Sequence, residues 1–369
     1  MGTYIPRPET ERRLLETLTS TQSVILLGPR GSGKTALLER LRSSLSASRP
    51  VALIQMEPIA ASPEILCERF LQLSETALVP GSHRSAPFPR LLAALTKGRR
   101  QALLLLDDFT EIRTLSYFPG VERPLENFFE ALAKKQAPQA VLTSRFPAWV
   151  ASCFQELSDA TRSHFEVLRL PSIRPEELTA LGMTDAELMV SATGGLPVHL
   201  SRLFERIEQG DDLPAALAAE MAGSGRLEAE CRATLGQLLH RARGYGACKA
   251  VLHVLAAEEG LRLTDVARRL DRTPGSTRDY LRWLEEVDLI AVREKRFFFV
   301  DPVLRLWLRL YGQGELPSRA DIEREIGRHL DGQGPVFEPL LESEETTTLE
   351  PEDEFVPLLP PSDELIEID

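Results

Sequence analysis

The sequence predicts an α/β core built on a parallel sheet, followed by a helical segment, a smaller domain of three helices and a hairpin, and an acidic tail. Three observations carry that prediction. Short apolar runs alternate with amphipathic stretches up to about residue 170. A glycine-rich loop joins the first such run to its helix, and Asp331 to Asp369 contain thirteen acidic residues with no Lys or Arg.

Ser23 to Leu27 (SVILL) is an apolar run of strand length, and Ala36 to Leu45 has apolar residues at helical spacing. Val51 to Glu57 reads as a second strand, with a helix from Pro63 to about Leu78 behind it. After the turn-rich PGSHRSAPFPR, a helix covers about Arg90 to Lys97. Ala102 to Phe109 (ALLLLDDF) is a continuous apolar run ending in two acids, the pattern of a strand buried on both faces. A helix from about Pro124 to Lys135 leads to a strand at Ala140 to Arg145 (AVLTSR), and His164 to Leu170 closes a set of five strands. Such a sheet binds its ligands at the C-terminal ends of its strands.

The loop Gly28 to Thr35 (GPRGSGKT) reads G-x-x-x-x-G-K-[ST] between strand and helix, the arrangement of a phosphate-binding P-loop. Gly28, Gly31 and Gly33, with Pro29, Arg30 and Ser32 between them, let backbone N–H groups turn inward around a polyphosphate. The helix start at Thr35 and Ala36 adds a partial positive charge. Lys34 is expected to reach the β and γ phosphates of ATP and the Thr35 hydroxyl to ligate Mg²⁺. At the end of LLLL, Asp107 would hold the Mg²⁺ through water, and Asp108 would polarise the attacking water as a base. Thr143, Ser144 and Arg145, at the end of the next strand, would face the γ phosphate. Residues 1–173 are thus read as an α/β P-loop NTPase core with a parallel sheet.

Residues 174–243 are almost wholly helical, with a break at Gly194-Gly195-Leu196-Pro197, and are expected to form an α-helical lid. Residues 244–312 contain helices at Ala247 to Ala257, at Leu263 to Leu270 with Thr264 as N-cap, and at Pro274 to about Val287. Strands at Leu289 to Val292 and Phe297 to Val300 flank the charged turn Arg293 to Arg296, which completes a winged-helix pattern. Arg269, Arg272, Arg278, Arg282, Arg293, Lys295 and Arg296 are candidate phosphate contacts for double-stranded DNA, and Ser276 and Thr277 could approach a groove. Asp279, Glu285, Glu286, Asp288 and Glu294 in the same stretch leave an ordinary ion-paired face as the alternative. A short helical extension is expected at 313–330 and a disordered acidic tail at 331–369. The tail repeats F-x-P-L-L at Phe337 to Leu341 and Phe355 to Leu359, either a docking motif for a protein partner or a segment packing onto its own body.

The net charge of -12 does not exclude nucleic acid, because thirteen of the 55 acids lie in the tail and the rest nearly balance the 43 Lys and Arg. Cys67, Cys153, Cys231 and Cys248 are far apart and suit reduced structural thiols. No apolar run approaches the ~18 residues of a membrane span, and MGTYIPRPETERR lacks a signal-peptide core, so a cytoplasmic protein without membrane contact is expected.

Together these motifs resemble the AAA+ and STAND branch of P-loop ATPases, above all the archaeal-type ATPases that join an NTPase core, a helical lid and a C-terminal winged helix. The resemblance runs from about Tyr4 to Leu310. YIPRPETERRLLETL is similar to the adenine-side box, GPRGSGKT to Walker A, LLLLDDF to Walker B, VLTSR to the sensor strand, GGLPVHL to the lid motif, and RFFFVDPVLRLWLRL to the segment after the wing. It implies that Tyr4, Ile5 and Pro197 border adenine, and that Arg162 is a candidate arginine finger in a homo-oligomer. Asp rather than Glu at 108 departs from the common AAA+ pattern and resembles STAND switches, which implies slow hydrolysis. The implied function is an ATP-binding switch controlling a winged helix that acts on DNA or a protein partner. An oligomeric DNA-remodelling motor or loader and an ATP-stabilised adaptor recruiting partners through its tail stay open as alternatives.

Overall fold

The computed structural model describes residues 4–331 apart from 21, 60–61, 74–86, 98, 241–243 and 315. The core runs α1 (Pro8–Thr19), β1 (Ser23–Leu27), α2 (Lys34–Leu45), β2 (Val51–Gln55), α3 (Pro63–Leu73), α4 (Pro87–Thr96) and β3 (Leu103–Asp107). It continues with α5 (Pro124–Leu132), β4 (Gln139–Ser144), α6 (Pro147–Glu156), α7 (Asp159–Arg162) and β5 (Phe165–Arg169). The five strands form one parallel sheet in the order β2-β3-β4-β1-β5. Every residue of β1, β3 and β4 is buried, which is why these strands read as unbroken apolar runs rather than alternating ones. The register pairs Leu27 with Ser144 and Gln55 with Asp107, so the loops after β1, β3 and β4 emerge side by side at one end of the sheet.

All five expected strands are present, with shifted ends. β2 stops at Gln55 because a 3-10 turn takes Glu57–Ile59, and α5 ends at Leu132 rather than Lys135. The helix expected near Arg90 begins at Pro87, and the stretch 74–78 assigned to the second helix lies outside the described residues. Helices α6 and α7 were not anticipated, although Pro147 in the first turn of α6 is a start signal.

Aromatic packing closes one face of the sheet. The Phe129 ring meets Phe109, Phe154 and Phe165 edge to face, with centroids 5.3, 5.3 and 5.0 Å apart. Replacing Phe129 by alanine is expected to cost about 3–5 kcal/mol through lost burial and an unfilled cavity. Denaturant unfolding checks this, and a loss below about 1 kcal/mol would mean the cluster relaxes around the gap.

Beyond the sheet, α8 (Pro175–Ala180), α9 (Ala186–Thr193), α10 (Pro197–Ile207), α11 (Leu213–Met221) and α12 (Arg226–His240) form the helical segment. The C-terminal unit comprises α13 (Tyr245–Ala257), β6 (Leu261–Arg262), α14 (Leu263–Arg269), α15 (Pro274–Glu286), β7 (Ile290–Arg293), β8 (Arg296–Phe299), α16 (Pro302–Tyr311) and α17 (Arg319–Asp331). Its three strands are antiparallel in the order β6-β8-β7. Only the β7–β8 hairpin was foreseen, closed by Glu294 and Lys295 at φ 49 and 62, the left-handed pair that matches strand twist. Helix α14 is capped by Arg262, whose N–H donates to Asp265, so Thr264 lies inside the helix and is not its N-cap. Both F-x-P-L-L segments lie outside the described residues.

Helical segment and C-terminal unit share one continuous core. Tyr311 donates its hydroxyl to Met221 O at 2.7 Å, and His329 Nε2 lies 2.8 Å from Ala192 O. His199 Nε2 lies 2.9 Å from Asp301 Oδ2, while Asp301 also accepts the N–H groups of Val303 and Leu304 at the start of α16. Burial opposes both charges of this pair, but each partner prevails over it: the His199 pKa is raised and that of Asp301 lowered. No helix among the described residues is long and apolar enough to cross a membrane.

Candidate functional site

The loop between β1 and α2 turns because Gly31 and Gly33 take φ 79 and 90, conformations closed to most side chains. A Cβ on Gly31 would also run into Val198 Cγ1, and the N–H of Val198 donates to Gly31 O at 3.2 Å. The break at Leu196-Pro197 therefore delivers the start of α10 onto the loop itself. Lys34 is 7 % exposed, and its Nζ donates to Gly28 O at 2.7 Å and Pro29 O at 2.9 Å. Burial lowers its pKa, while Asp108, Asp107 and Asp288 pull it back up. A cation hydrogen-bonded to loop carbonyls and the Ser32 hydroxyl, with no carboxylate bonded to it, is incompletely compensated, which suits a group awaiting an anion.

Side by side at the strand ends, Thr35 Oγ1 donates to Asp107 Oδ2 at 2.5 Å and Thr143 Oγ1 donates to Asp107 Oδ1 at 2.6 Å. Both carboxylate oxygens are thus oriented. The Asp108 N–H donates to Thr143 Oγ1 at 3.0 Å, and Asp108 takes φ 51, which turns its side chain out of the strand. Its Oδ1 is buried without a hydrogen-bond partner, and burial raises its pKa against the pull of Lys34 and Arg145. Arg145 bridges Glu57 at 3.3 Å and Glu111 at 3.1 Å. Burial works against its charge, but Asp108, Glu57 and Glu111 outweigh burial and raise its pKa.

An open cleft of about 920 Å³ collects these groups, within the range of small-molecule sites. Arg30, Gly31, Gly33, Lys34, Thr35 and Ala36 line it from the phosphate loop, and Asp107, Asp108 and Arg145 from the ends of β3 and β4. Tyr4, Ile5 and Pro197 also line it, and Tyr4 donates to Glu11 at 2.7 Å beneath the Arg40 guanidinium. Gly28, Pro29 and Ser32 shape the loop from behind, and fully buried Thr143 supports Asp107 rather than facing the cleft.

Besides Thr143, two expected positions differ, Ser144 and Thr277. Ser144 is turned inward, 3.0 Å from Thr110 Oγ1 and accepting from Phe146 N, so it does not face the cleft. Arg162 ends α7 just before β5, as the sequence placed it, and donates to Phe154 O and to Asp159. Thr277 is fully buried with its hydroxyl on Thr273 O, so it cannot approach a groove. Of the basic candidates, Arg269 pairs with Glu258, Arg296 donates to Gly260 O, and Arg272 lies over the Tyr280 ring. Arg278, Arg282 and Lys295 are exposed and Arg293 is half-buried. Sequence reasoning missed Glu57, Glu111 and Asp288, none of which sits in a motif.

The family model described as an AAA domain matches residues 17–143. No curated protein matches the chain. Among solved structures, the Walker-type ATPase PABY2304 of Pyrococcus abyssi is similar at TM-score 0.58 and 17 % identity, over 83 % of this chain and 96 % of that one. The ORC2 protein of Aeropyrum pernix gives 0.48 at 14 % identity over 87 % and 92 %, and Cdc6p of Pyrobaculum aerophilum 0.43 at 15 % over 89 % and 96 %. With the loop and strand-end acids in place, residues 17–143 match the AAA domain family and the core has the fold of a Walker-type ATPase.

Proposed function

We propose that this chain is an ATP-binding, slowly hydrolysing switch, in which nucleotide in the cleft repositions a helical lid (174–243) and a winged helix (244–312), extended by 313–330. The observation that supports it most is the direct hydrogen bond from Val198 to Gly31 O, together with the His199–Asp301 pair behind it. Any change in the phosphate loop is thereby coupled to the C-terminal unit. Lys34 binds the β and γ phosphates, Tyr4, Ile5 and Pro197 border the base, and Arg145 exchanges its carboxylates for the γ phosphate. Thr35 and Asp107 offer adjacent hard oxygen ligands, the set that suits Mg²⁺. When bound, the ion neutralises phosphate charge. Asp108 accepts the proton of the attacking water. Exposed Arg278, Arg282 and Lys295 support an output on double-stranded DNA through phosphate contacts, and the acidic tail is assigned to a protein partner.

Small-angle scattering of the full chain with ADP and with a non-hydrolysable ATP analogue tests this reading. A nucleotide-dependent change in radius of gyration is expected, with DNA affinity differing between the two states. Identical scattering and identical DNA affinity in both would overturn it.

A further inference from the structure

The end of the sheet opposite the phosphate loop carries charge of one sign. Helices α2, α4 and α5 lead the chain into β2, β3 and β4 there, as parallel pairing requires. Leu103 N donates to Pro50 O at 2.9 Å and Arg49 Nη1 to Gln139 Oε1 at 2.8 Å, so the three strand entries lie side by side. On them stand Arg49, Lys97, Arg99, Arg100, Lys134 and Lys135, of which Arg49 is half-buried and the others exposed. Residues 46–50, 96–101 and 133–139 contain no Asp or Glu. Among the described residues, none of the six side chains is paired with a carboxylate.

The helix ends do not account for this surplus. Each C-terminus presents a fractional charge of about −0.5, hence about −1.5 for three, against six full positive charges. The cations of the C-terminal unit are a different case, because acids lie among them. Arg268 pairs with Asp265 and Arg269 with Glu258, while Asp271, Asp279 and Glu294 are exposed beside the rest.

The complementary segment belongs to the chain itself. Residues 332–369 contain twelve Asp and Glu and no Lys or Arg, seven of the acids falling between Glu342 and Glu354, which separate the two F-x-P-L-L repeats. Glu350 to Glu354 follow Asp331 by 19 to 23 residues, a reach of about 60 Å or more when extended. A folded body of this length has a radius of gyration of about 20 Å, so the far end of the sheet is within range.

We propose that the acidic stretch Glu342 to Glu354 docks, within its own chain, on the six cations at the N-terminal end of the sheet. Tethering gives the stretch an effective concentration of about millimolar, which the tail of a second copy at micromolar protein does not match. The docking does not depend on nucleotide. A protein partner for the tail would have to take it from the core.

Zero-length carbodiimide coupling of the full chain, read by mass spectrometry, tests this, because the reagent joins carboxylates to amines already in contact. Lys97, Lys134 and Lys135 are three of the six lysines in the chain, and Lys295 at the hairpin tip is an exposed comparison. Links from Glu342–Glu354 to the first three are expected to exceed those to Lys295. Their yield should fall about fivefold or more between about 0.1 M and about 1 M salt, as the Debye length shrinks from about 10 to about 3 Å. Arg99→Glu with Arg100→Glu keeps every lysine and should cut the yield about tenfold, the scale of two exposed ion pairs lost and reversed. Both side chains are exposed, so the unfolding temperature should not change. Links mainly to Lys295, or an unchanged yield in the double variant, overturn the proposal. Absence of links overturns it too and leaves the cations to an external polyanion such as a nucleic-acid backbone. Links joining labelled to unlabelled chains in an isotopic mixture overturn docking within one chain in favour of a second copy.

Discussion

Lys34→Ala is expected to abolish measurable nucleotide binding while leaving the fold intact. Truncating one partner of a buried, hydrogen-bonded charge pair costs about 2–5 kcal/mol, which is roughly 30-fold to several thousand-fold in affinity. The upper half of that range applies here because the ammonium is 7 % exposed and would serve two phosphates. Without nucleotide the same side chain is a burden. Desolvation lowers its pKa, and its bonds are to the carbonyls of Gly28 and Pro29 and the Ser32 hydroxyl, none of them a counter-charge. The variant should therefore unfold at the wild-type temperature or slightly above it when both are free of nucleotide. The wild type alone should then gain stability as ADP or ATP is added, by the mass-action rise that any native-state ligand produces. Thermal unfolding across a nucleotide titration measures both effects at once. A variant that still gains stability with nucleotide would remove Lys34 from the phosphate site.

The parts of this site legible in the sequence are those whose partners are close along the chain or fixed by strand order. Gly28 to Thr35 form one loop, and Asp107 and Asp108 end a strand whose burial is written in four leucines. Parallel pairing does the rest, because β3 and β4 lie beside each other and bring Thr143 to Asp107. Arg145 lies in the cleft at the end of β4, but Glu57 reaches it from the 3-10 turn after β2 and Glu111 from the 3-10 run Phe109–Tyr117, across a distance that no local pattern encodes. Thr277 was misread for a different reason. It shares the buried face of α15 with Leu281 and Leu284, a four-and-seven spacing that marks it as inward-facing. β6 has two residues, too few to show any period. Asp288 was read as one charge among several, since its place beside Pro29 and Gly31 depends on the C-terminal unit folding back against the loop.

On the proposed coupling through Val198 and Gly31, hydrolysis would reset the switch and its rate would depend on Asp108. Asp108→Asn should lower turnover by about 10²-fold or more, the scale of a lost general base, with ATP affinity within about threefold of wild type. Asparagine accepts the left-handed backbone at φ 51, so the strand end is kept. The carboxylate is suited to the task by its surroundings, since burial raises its pKa and its Oδ1 has no competing partner. Its weakness is reach. The side chain is one methylene shorter than glutamate, and a reacting group misplaced by about 1 Å gives up to about 100-fold in rate. Asp108→Glu should consequently raise turnover by about tenfold, offset in part by about 1 kcal/mol for a longer side chain in a left-handed position. Single-turnover measurements separate chemistry from product release. Asparagine at 108 with wild-type single-turnover rates would exclude this carboxylate as the base and direct attention to Glu57, the other acid beside Arg145 in the cleft.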